Sequence, residues 1–351
     1  MTTNVCSYRM CRAQYKQLEV GMGGSRGQDP RDEWTALAGL GEIFDDFRDR
    51  SDALLEAGPP PSETPDNRPV PMIIDTDCGG DPDDAVALVV AGLRVPELRL
   101  VVTGDEVSGE RARFVRYLLD LVGRTDVRVV AGPDLGNRRL WFVDGVTPAE
   151  VPAQGTDVVG AVAEVCAEVA GLVRWVGLGP LTNLSAVQDA RPELIARLQV
   201  TQMGGAIAYR DPSRAEHNFR MDPGAAIRML PLLQRWDPAY VVSDVTFNPA
   251  TEITAASPLY KRWAEPNAPT WAQVLKLHTD RWLERYPGSM QHDAMTLAAA
   301  LQWPGIRFSG ERVVLDDLAR MSRSDDGLEI EMAVRVDYQA FMAWLDAALA
   351  W

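Results

Sequence analysis

Residues 72–88 read Met72-Ile73-Ile74-Asp75-Thr76-Asp77-Cys78-Gly79-Gly80-Asp81-Pro82-Asp83-Asp84-Ala85-Val86-Ala87-Leu88 and place five aspartates within ten positions. The apolar run at their start is typical of a buried strand, and residues 85–91 can continue as a helix. The aspartates therefore lie in a loop between a strand and a helix, which is where open α/β sheets build their sites.

Five carboxylates this close repel one another unless a cation or a helix N-terminus compensates their charge. A hard divalent cation is the natural partner of a cluster of oxygen ligands, so the loop predicts a metal site. The alternative is a solvated acidic loop in which Asp83 and Asp84 only cap the following helix.

Size and charge restrict the class of protein. With 351 residues and 46% apolar content, the chain can bury one large core, or a core plus an appended segment. Its net charge of −15 argues against nucleic-acid and anionic-membrane partners, because like charges repel.

The four cysteines show neither metal-ligand spacing nor a disulfide framework, which favours a reducing compartment. Residues 1–20 contain no apolar signal-peptide core, and no later apolar run is long enough to span a bilayer. We therefore expect a cytoplasmic protein without a membrane partner.

Composition predicts two parts of the chain. Residues 1–68 form an N-terminal extension, which comprises a polar segment, an amphipathic helix over residues 31–57 and a proline-rich linker at residues 58–65. Residues 69–351 form the main domain. There, apolar runs such as residues 198–203 alternate with helical stretches such as residues 293–302, which predicts a Rossmann-like α/β fold with a mostly parallel sheet and helices on both faces.

Further motifs follow other predicted strands or open helices. They are Gly177-Leu178-Gly179-Pro180-Leu181-Thr182-Asn183, Met203-Gly204-Gly205, Ala215-Glu216-His217-Asn218 with Asp222-Pro223, and Gln291-His292-Asp293-Ala294. Each alone is as typical of an ordinary turn or helix cap as of a site.

Together with Asp75-Thr76-Asp77 and Asp83-Asp84-Ala85, these motifs resemble, in order, the pattern of the inosine-uridine-preferring nucleoside hydrolases. The resemblance extends over residues 69–351 and implies a Rossmann-like fold with the site at the carboxyl ends of the strands. It implies calcium-dependent hydrolysis of the N-glycosidic bond of a ribonucleoside or modified nucleoside, which gives free base and ribose.

The resemblance also implies residue roles. Calcium would be held by Asp77, Asp84, Asp293 and the backbone carbonyl of Thr182. Asp77 would accept a proton from the attacking water, and His292 would help to protonate the departing base.

Substrate-binding positions are implied in the same way. Asp83, Glu216 and Asn218 match positions that bind ribose hydroxyls, and Met203 matches a position that lines the sugar. Trp282, with Arg285 and Tyr286, is a candidate for stacking on the base because it is close to His292 in sequence. Glu106 falls near the position where the family commonly has an asparagine that contacts ribose.

The chain departs from the family pattern in three places. Two extra residues separate Asp77 from Asp83, which leaves open whether Asp81, Asp83 or Asp84 reaches the metal. Glu106 stands near the position of an asparagine in the family, so a hydrogen-bond donor is replaced by an acceptor. Arg210 or Arg214 stands near the position of an asparagine that meets the 5′ hydroxyl, so the arginines either bind a modified or phosphorylated 5′ group or face solvent.

These departures keep other functions open. One is a non-catalytic nucleoside- or diol-binding protein of the same fold, and a weaker one is a different metal-dependent hydrolase such as a phosphoesterase. Family precedent and the apolar face of the predicted N-terminal helix favour a homo-oligomer, either a dimer or a tetramer.

Overall fold

The computed structural model describes residues 70–351. The predicted N-terminal extension, including the helix over residues 31–57 and the proline-rich linker, lies outside the described residues. The division at residue 68 therefore stays a prediction.

A nine-stranded sheet forms the centre of the described part and has the strand order β10-β9-β11-β6-β5-β4-β1-β2-β3. Seven neighbouring strands, from β3 to β11 in this order, pair in parallel, whereas β9 and β10 pair antiparallel at one edge. Its strands are β1 Met72–Thr76, β2 Leu98–Thr103, β3 Arg128–Ala131, β4 Val173–Gly177, β5 Leu198–Met203, β6 Ala239–Val241, β9 Ile306–Leu315, β10 Met321–Arg323 and β11 Leu328–Val336. Strands β7 Glu252–Ile253 and β8 Ser289–Met290 form a separate antiparallel pair.

Helices connect most of the strands. They are α1 Asp83–Arg94, α2 Glu110–Leu121, α3 Val158–Ala167, α4 Thr182–Ala190, α5 Pro192–Ile195, α6 His217–Met221, α7 Pro223–Leu233, α8 Ser243–Thr246, α9 Pro258–Trp263, α10 Thr270–Leu283, α11 His292–Ala300 and α12 Tyr338–Ala348. The predicted α/β class with a mostly parallel sheet is confirmed. The short strands β6, β7, β8 and β10 and the short helices were not predicted.

Strand β1 occupies the centre of the core, and its residues Met72, Ile73 and Ile74 are fully buried. It pairs with β2 on one side and with β4 on the other. Along the chain, β2 and β3 follow on one side of β1, whereas β4, β5 and β6 follow on the other side. The gap between the ends of β1 and β4 is therefore a topological switch point. The loops that follow β1 and β4 thus meet at the edge of the sheet where a ligand crevice is expected.

Candidate functional site

Three buried carboxylates converge at this edge. Ligand oxygens of Asp83, Asp84 and Asp293 all lie within 4.8 Å of one another. Asp83 and Asp84 begin α1, and Asp293 lies in the first turn of α11, which packs against α1. We refer to Asp83, Asp84 and Asp293 as the acidic triad.

The electrostatics of the acidic triad favour a cation. Burial is the largest cause that raises the pKa of each of the three carboxyl groups well above its usual value, and repulsion from neighbouring aspartates adds to it. Within residues 70–351, no lysine or arginine forms an ion pair with any of the three. An all-oxygen donor set with this much negative charge fits a hard divalent cation.

Hydrogen bonds hold the acidic triad in place. Asp83 accepts at Oδ2 from the backbone N–H groups of His292 (3.1 Å) and Asp293 (3.3 Å), and at Oδ1 from that of Asp84 (3.1 Å). Thr76 at the end of β1 donates its hydroxyl to Asp84. The N-cap of α1 is Pro82 and no side chain caps that helix, so the capping of α1 considered for Asp83 is not observed. Asp83 instead binds the backbone N–H groups at the N-terminus of α11.

Asp77 lies one residue beyond β1 and outside the acidic triad. Its Oδ2 is 3.9 Å from Nε2 of His217, and its side chain is 14% exposed. The turn after β4 passes close by, because a Cβ at Gly179 would be 3.2 Å from the backbone nitrogen of Asp77.

The turn after β4 is fixed to its neighbours by side chains. The hydroxyl of Thr182 donates to Oδ2 of Asp222 (2.7 Å), and Nδ2 of Asn183 donates to Oδ1 of Asp75 (2.8 Å) and to the carbonyl of Thr103 (3.0 Å). These contacts tie the ends of β1, β2 and β4 together and place Thr182 beside the switch point.

Asn218 and Glu216 hold the loops after β4 and β5. Asn218 donates from Nδ2 to the carbonyls of Leu178 (2.6 Å) and Met203 (3.2 Å). The carboxylate of Glu216 accepts backbone N–H groups of Gly205 (3.0 Å), Asn218 and Phe219. Both side chains are buried and stabilise the same edge of the sheet.

His292 is held as a neutral side chain. Its Nδ1 is 2.6 Å from the hydroxyl of Thr246, and its ring stacks on Phe247 with 6.3 Å between centroids. Burial, helped by the charges of Arg210 and His217, lowers its pKa to about 3. At neutral pH the imidazole can offer a hydrogen bond but is not a cationic acid.

Arg210 is exposed and stacks over the rings of Tyr209 and Phe247, 4.7 Å from each centroid. Because stacking uses the face of the guanidinium, its N–H donors remain at the edge of the group. Arg210 is thus a cation beside the aromatic ring that contacts His292.

Two residues that were predicted to bind substrate, Glu106 and Trp282, make contacts within the protein. The buried Glu106 accepts from the hydroxyl of Thr103 and from the backbone N–H groups of Val107, Arg111 and Ala112. A substrate contact of Glu106 would compete with these donors around the start of α2. Trp282 donates from Nε1 to the carbonyl of Gly288 (2.8 Å) and stacks on Tyr286 (4.0 Å).

The structure adds residues that the sequence analysis missed. Arg111 is fully buried and donates to the carbonyls of Asp77 and Cys78, and Nε2 of the buried His278 is 3.0 Å from the carbonyl of Gly80. The hydroxyl of Ser289 donates to Asp81. An arginine in an amphipathic helix normally faces solvent, so no sequence signal identified Arg111. His217 was noticed within its motif but given no role.

Known proteins share both the sequence pattern and the fold. The sequence profile described as "Inosine-uridine preferring nucleoside hydrolase" matches residues 72–343. Pyrimidine-specific ribonucleoside hydrolase RihA of an Enterobacter species is 30% identical over 277 residues, which cover 69% of this chain and 85% of that protein. The crystal structure of an inosine-uridine preferring nucleoside hydrolase from Bacillus anthracis superposes with a TM-score of 0.65 at 17% identity and covers 80% of this chain and 98% of that one.

Some relatives match over a shorter stretch. RihA of Salmonella paratyphi B is 34% identical over 178 residues, which is 45% of this chain, and the match spans only 55% of the relative's own length. Separately, no helix within residues 70–351 is long and apolar enough to cross a membrane.

Proposed function

Because the chain belongs to the inosine-uridine preferring nucleoside hydrolase family, we propose that it hydrolyses the N-glycosidic bond of a ribonucleoside or modified nucleoside with the help of calcium. The products are the free base and ribose. The observation that carries this proposal is the acidic triad, whose buried carboxylates lack cationic partners among the described side chains and lie at the switch point of the sheet.

The residues that would hold calcium are Asp84 and Asp293, together with Asp77 and the backbone carbonyl of Thr182. Their oxygens are the ligands that calcium prefers, and Asp83 stands beside them as a further carboxylate. A bound calcium ion would compensate the carboxylate charges, orient two sugar hydroxyls and make a water molecule more acidic.

Asp77 acts as the general base. It accepts a proton from the attacking water, and the water oxygen forms a bond to the anomeric carbon. At the same time the bond between that carbon and the nucleobase nitrogen breaks, and its electron pair leaves with the nucleobase. Positive charge develops on the ribose ring during this step. The carboxylates around the site stabilise that charge more than they stabilise the neutral substrate.

The sugar-binding side chains in this proposal are Asp83, Met203, Glu216 and Asn218. Met203 and Asn218 are joined to each other at the edge of the site, which supports their common role. Trp282 stays a candidate for contact with the base. We assign Glu106 to the start of α2 rather than to the substrate, because four donors already engage its carboxylate.

His292 would assist the departing base as a neutral hydrogen-bond donor from Nε2. Its low pKa argues against a protonated imidazole at neutral pH. We further propose that the protein is cytoplasmic and that it forms a homodimer or a homotetramer. Light scattering of the full chain would test the oligomeric state.

The decisive experiment measures release of free base from uridine, cytidine, inosine, adenosine and 5′-modified nucleosides, with calcium and with a chelator. We expect hydrolysis of at least one of them that the chelator abolishes. Preference for a 5′-phosphorylated nucleoside would agree with the position of Arg210.

Asp77→Asn should lower kcat by about 100-fold or more, because the amide cannot accept the proton. Asp317→Asn makes the same chemical change at an exposed position and should keep wild-type activity. Substrate binding with no turnover by the wild type would instead favour a non-catalytic binding protein, and full activity of Asp77→Asn would exclude Asp77 as the base.

A further inference from the structure

His217 is a side chain at the site to which the proposed reaction gives no role. It is the first residue of α6, and its Nε2 lies 3.9 Å from Oδ2 of Asp77. Its side chain is 31% exposed, so this is not a histidine sealed in the core. Among the described residues, His217 is the basic side chain within 4 Å of the Asp77 carboxylate.

Arg220 determines which nitrogen of His217 carries the proton. One turn further along α6, its guanidinium lies 3.2 Å from Nδ1 of His217 and is anchored by a 2.7 Å hydrogen bond to the carbonyl of Ala215. A guanidinium has donors and no acceptor, so Nδ1 must accept. The ring proton of the neutral imidazole therefore lies on Nε2, the nitrogen that faces Asp77.

We propose that His217 is a positioning residue for Asp77: the N–H at Nε2 of His217 donates to Oδ2 of Asp77, and the other carboxylate oxygen is left for calcium and the attacking water. This inference rests on the proposed function, in which Asp77 is the base. The distance of 3.9 Å is longer than a hydrogen bond. Hydrogen bonds of catalytic groups are often long without ligand and shorten when the substrate is bound.

The chain thus contains a three-membered series, Arg220, His217 and Asp77. Arg220 fixes the tautomer, His217 presents its N–H, and Asp77 receives it. The arrangement follows the general pattern in which a base is oriented by a second group that is itself held by a third. Here the base is the carboxylate and the imidazole orients it.

The first test determines the tautomer in the full chain by ¹⁵N NMR of the histidine rings, without calcium or substrate. Only three histidines are present, so the loss of one set of signals in His217→Gln assigns His217. We expect its proton on Nε2 and expect Arg220→Met to reduce this preference. A proton on Nδ1 in the wild type would overturn the inference.

The second test compares three replacements of His217 in steady-state kinetics. Glutamine places an amide N–H near the position of Nε2, asparagine places one near Nδ1, and phenylalanine keeps the ring shape without a donor. We expect His217→Phe and His217→Asn to lower kcat about 10- to 100-fold with little change in KM, the range typical of lost orienting contacts. His217→Gln should recover most of the activity.

The remaining outcomes separate this inference from its premise. Wild-type kcat in His217→Phe, equal losses in His217→Gln and His217→Asn, or a raised KM with unchanged kcat would each overturn it. If the wild type hydrolyses no nucleoside, the proposed function fails, and the NMR result still supports or overturns the Nε2–H geometry.

Discussion

At the residue scale, the acidic triad is the feature that most needs an explanation, because three carboxylates share one small volume. Asp83 bridges the first turns of α1 and α11 through backbone N–H groups, so two helix N-termini direct their partial positive charge at the triad. This compensation is incomplete, since the pKa of all three groups stays raised. Without metal, the site therefore tends to retain protons.

A pH-dependent stability follows for the metal-free protein. Burial raises the pKa of Asp81 beside the triad to about 8, so the folded state keeps a proton that the unfolded chain has lost. Stability should fall as pH rises from 6.5 to 8, by at most about 1.4 kcal/mol per pH unit for each retained proton. His278 and His292 have lowered pKa values of about 4 and about 3, so they destabilise only below about pH 6.5.

Thermal unfolding with a chelator at several pH values measures this effect. Calcium should stabilise the protein more at pH 8 than at pH 6.5, because metal binding requires ionised carboxylates. Asp81→Asn should flatten the metal-free pH dependence, whereas Asp317→Asn should leave it unchanged. A metal-free stability that rises toward pH 8 would contradict the assignment.

At the element scale, the loop between β1 and α1 is longer than the family pattern and is braced from several elements. Arg111 of α2 holds the carbonyls of Asp77 and Cys78, and His278 of α10 lies against that of Gly80. The backbone N–H of Phe142 donates to the carbonyl of Gly79 (2.8 Å). The two extra residues are thus part of a fixed turn that sets the position of the acidic triad.

Gly79 offers a sharp test of this turn. It has φ +112°, and a Cβ there would lie 2.6 Å from the ring of Trp141. Gly136 also has a positive φ, +82°, but a Cβ there would meet nothing within 4 Å, so it is a matched control. Gly136→Ala should cost about 1 kcal/mol in the free energy of unfolding from backbone strain alone.

Gly79→Ala should cost about 1–3 kcal/mol more, because it adds overpacking to the strain. Denaturant unfolding of the two variants gives the difference, and calcium titration of the folded protein should show weaker binding only for Gly79→Ala. Equal stability of the two variants would show that the turn relaxes freely.

At the scale of the whole molecule, the site is assembled from distant parts of the sequence. Asp83 and the N-terminus of α11 are joined across about 210 residues, and the turn after β4 reaches Asp75 across 108. The parallel sheet makes this possible, because it brings the carboxyl ends of β1, β4 and β5 to one edge.

The predicted domain division has a direct consequence. If residues 69–351 fold independently, removal of residues 1–68 should leave cooperative thermal unfolding and calcium-dependent stabilisation in place. Differential scanning calorimetry of the full and shortened chains checks this. An unfolded or calcium-insensitive shortened chain would place the boundary elsewhere.

Much of the fold was predictable because its signals are local. Strand β5 begins and ends at Leu198 and Met203 as predicted, and α11 begins one residue before the predicted Asp293. Strand β6 was not predicted, because three residues, Ala239–Val241, are too few to show a hydrophobic period. The predicted metal ligands Asp84 and Asp293 do lie together. The third carboxylate of the acidic triad is Asp83, however, and the predicted ligand Asp77 is not part of it.

The sequence by itself determined the class of the fold and indicated which carboxylates could form a site, since apolar periodicity and an ordered set of motifs are properties of the linear chain. Only the tertiary structure decided which partner each of these side chains has. Arg111 holds the loop after β1, Glu106 accepts N–H groups at the start of α2, and the guanidinium of Arg220 lies against Nδ1 of His217. The physical reason is that a charge or a hydrogen bond acts over a few ångströms in space, and distances along a sequence do not encode which groups lie within that range.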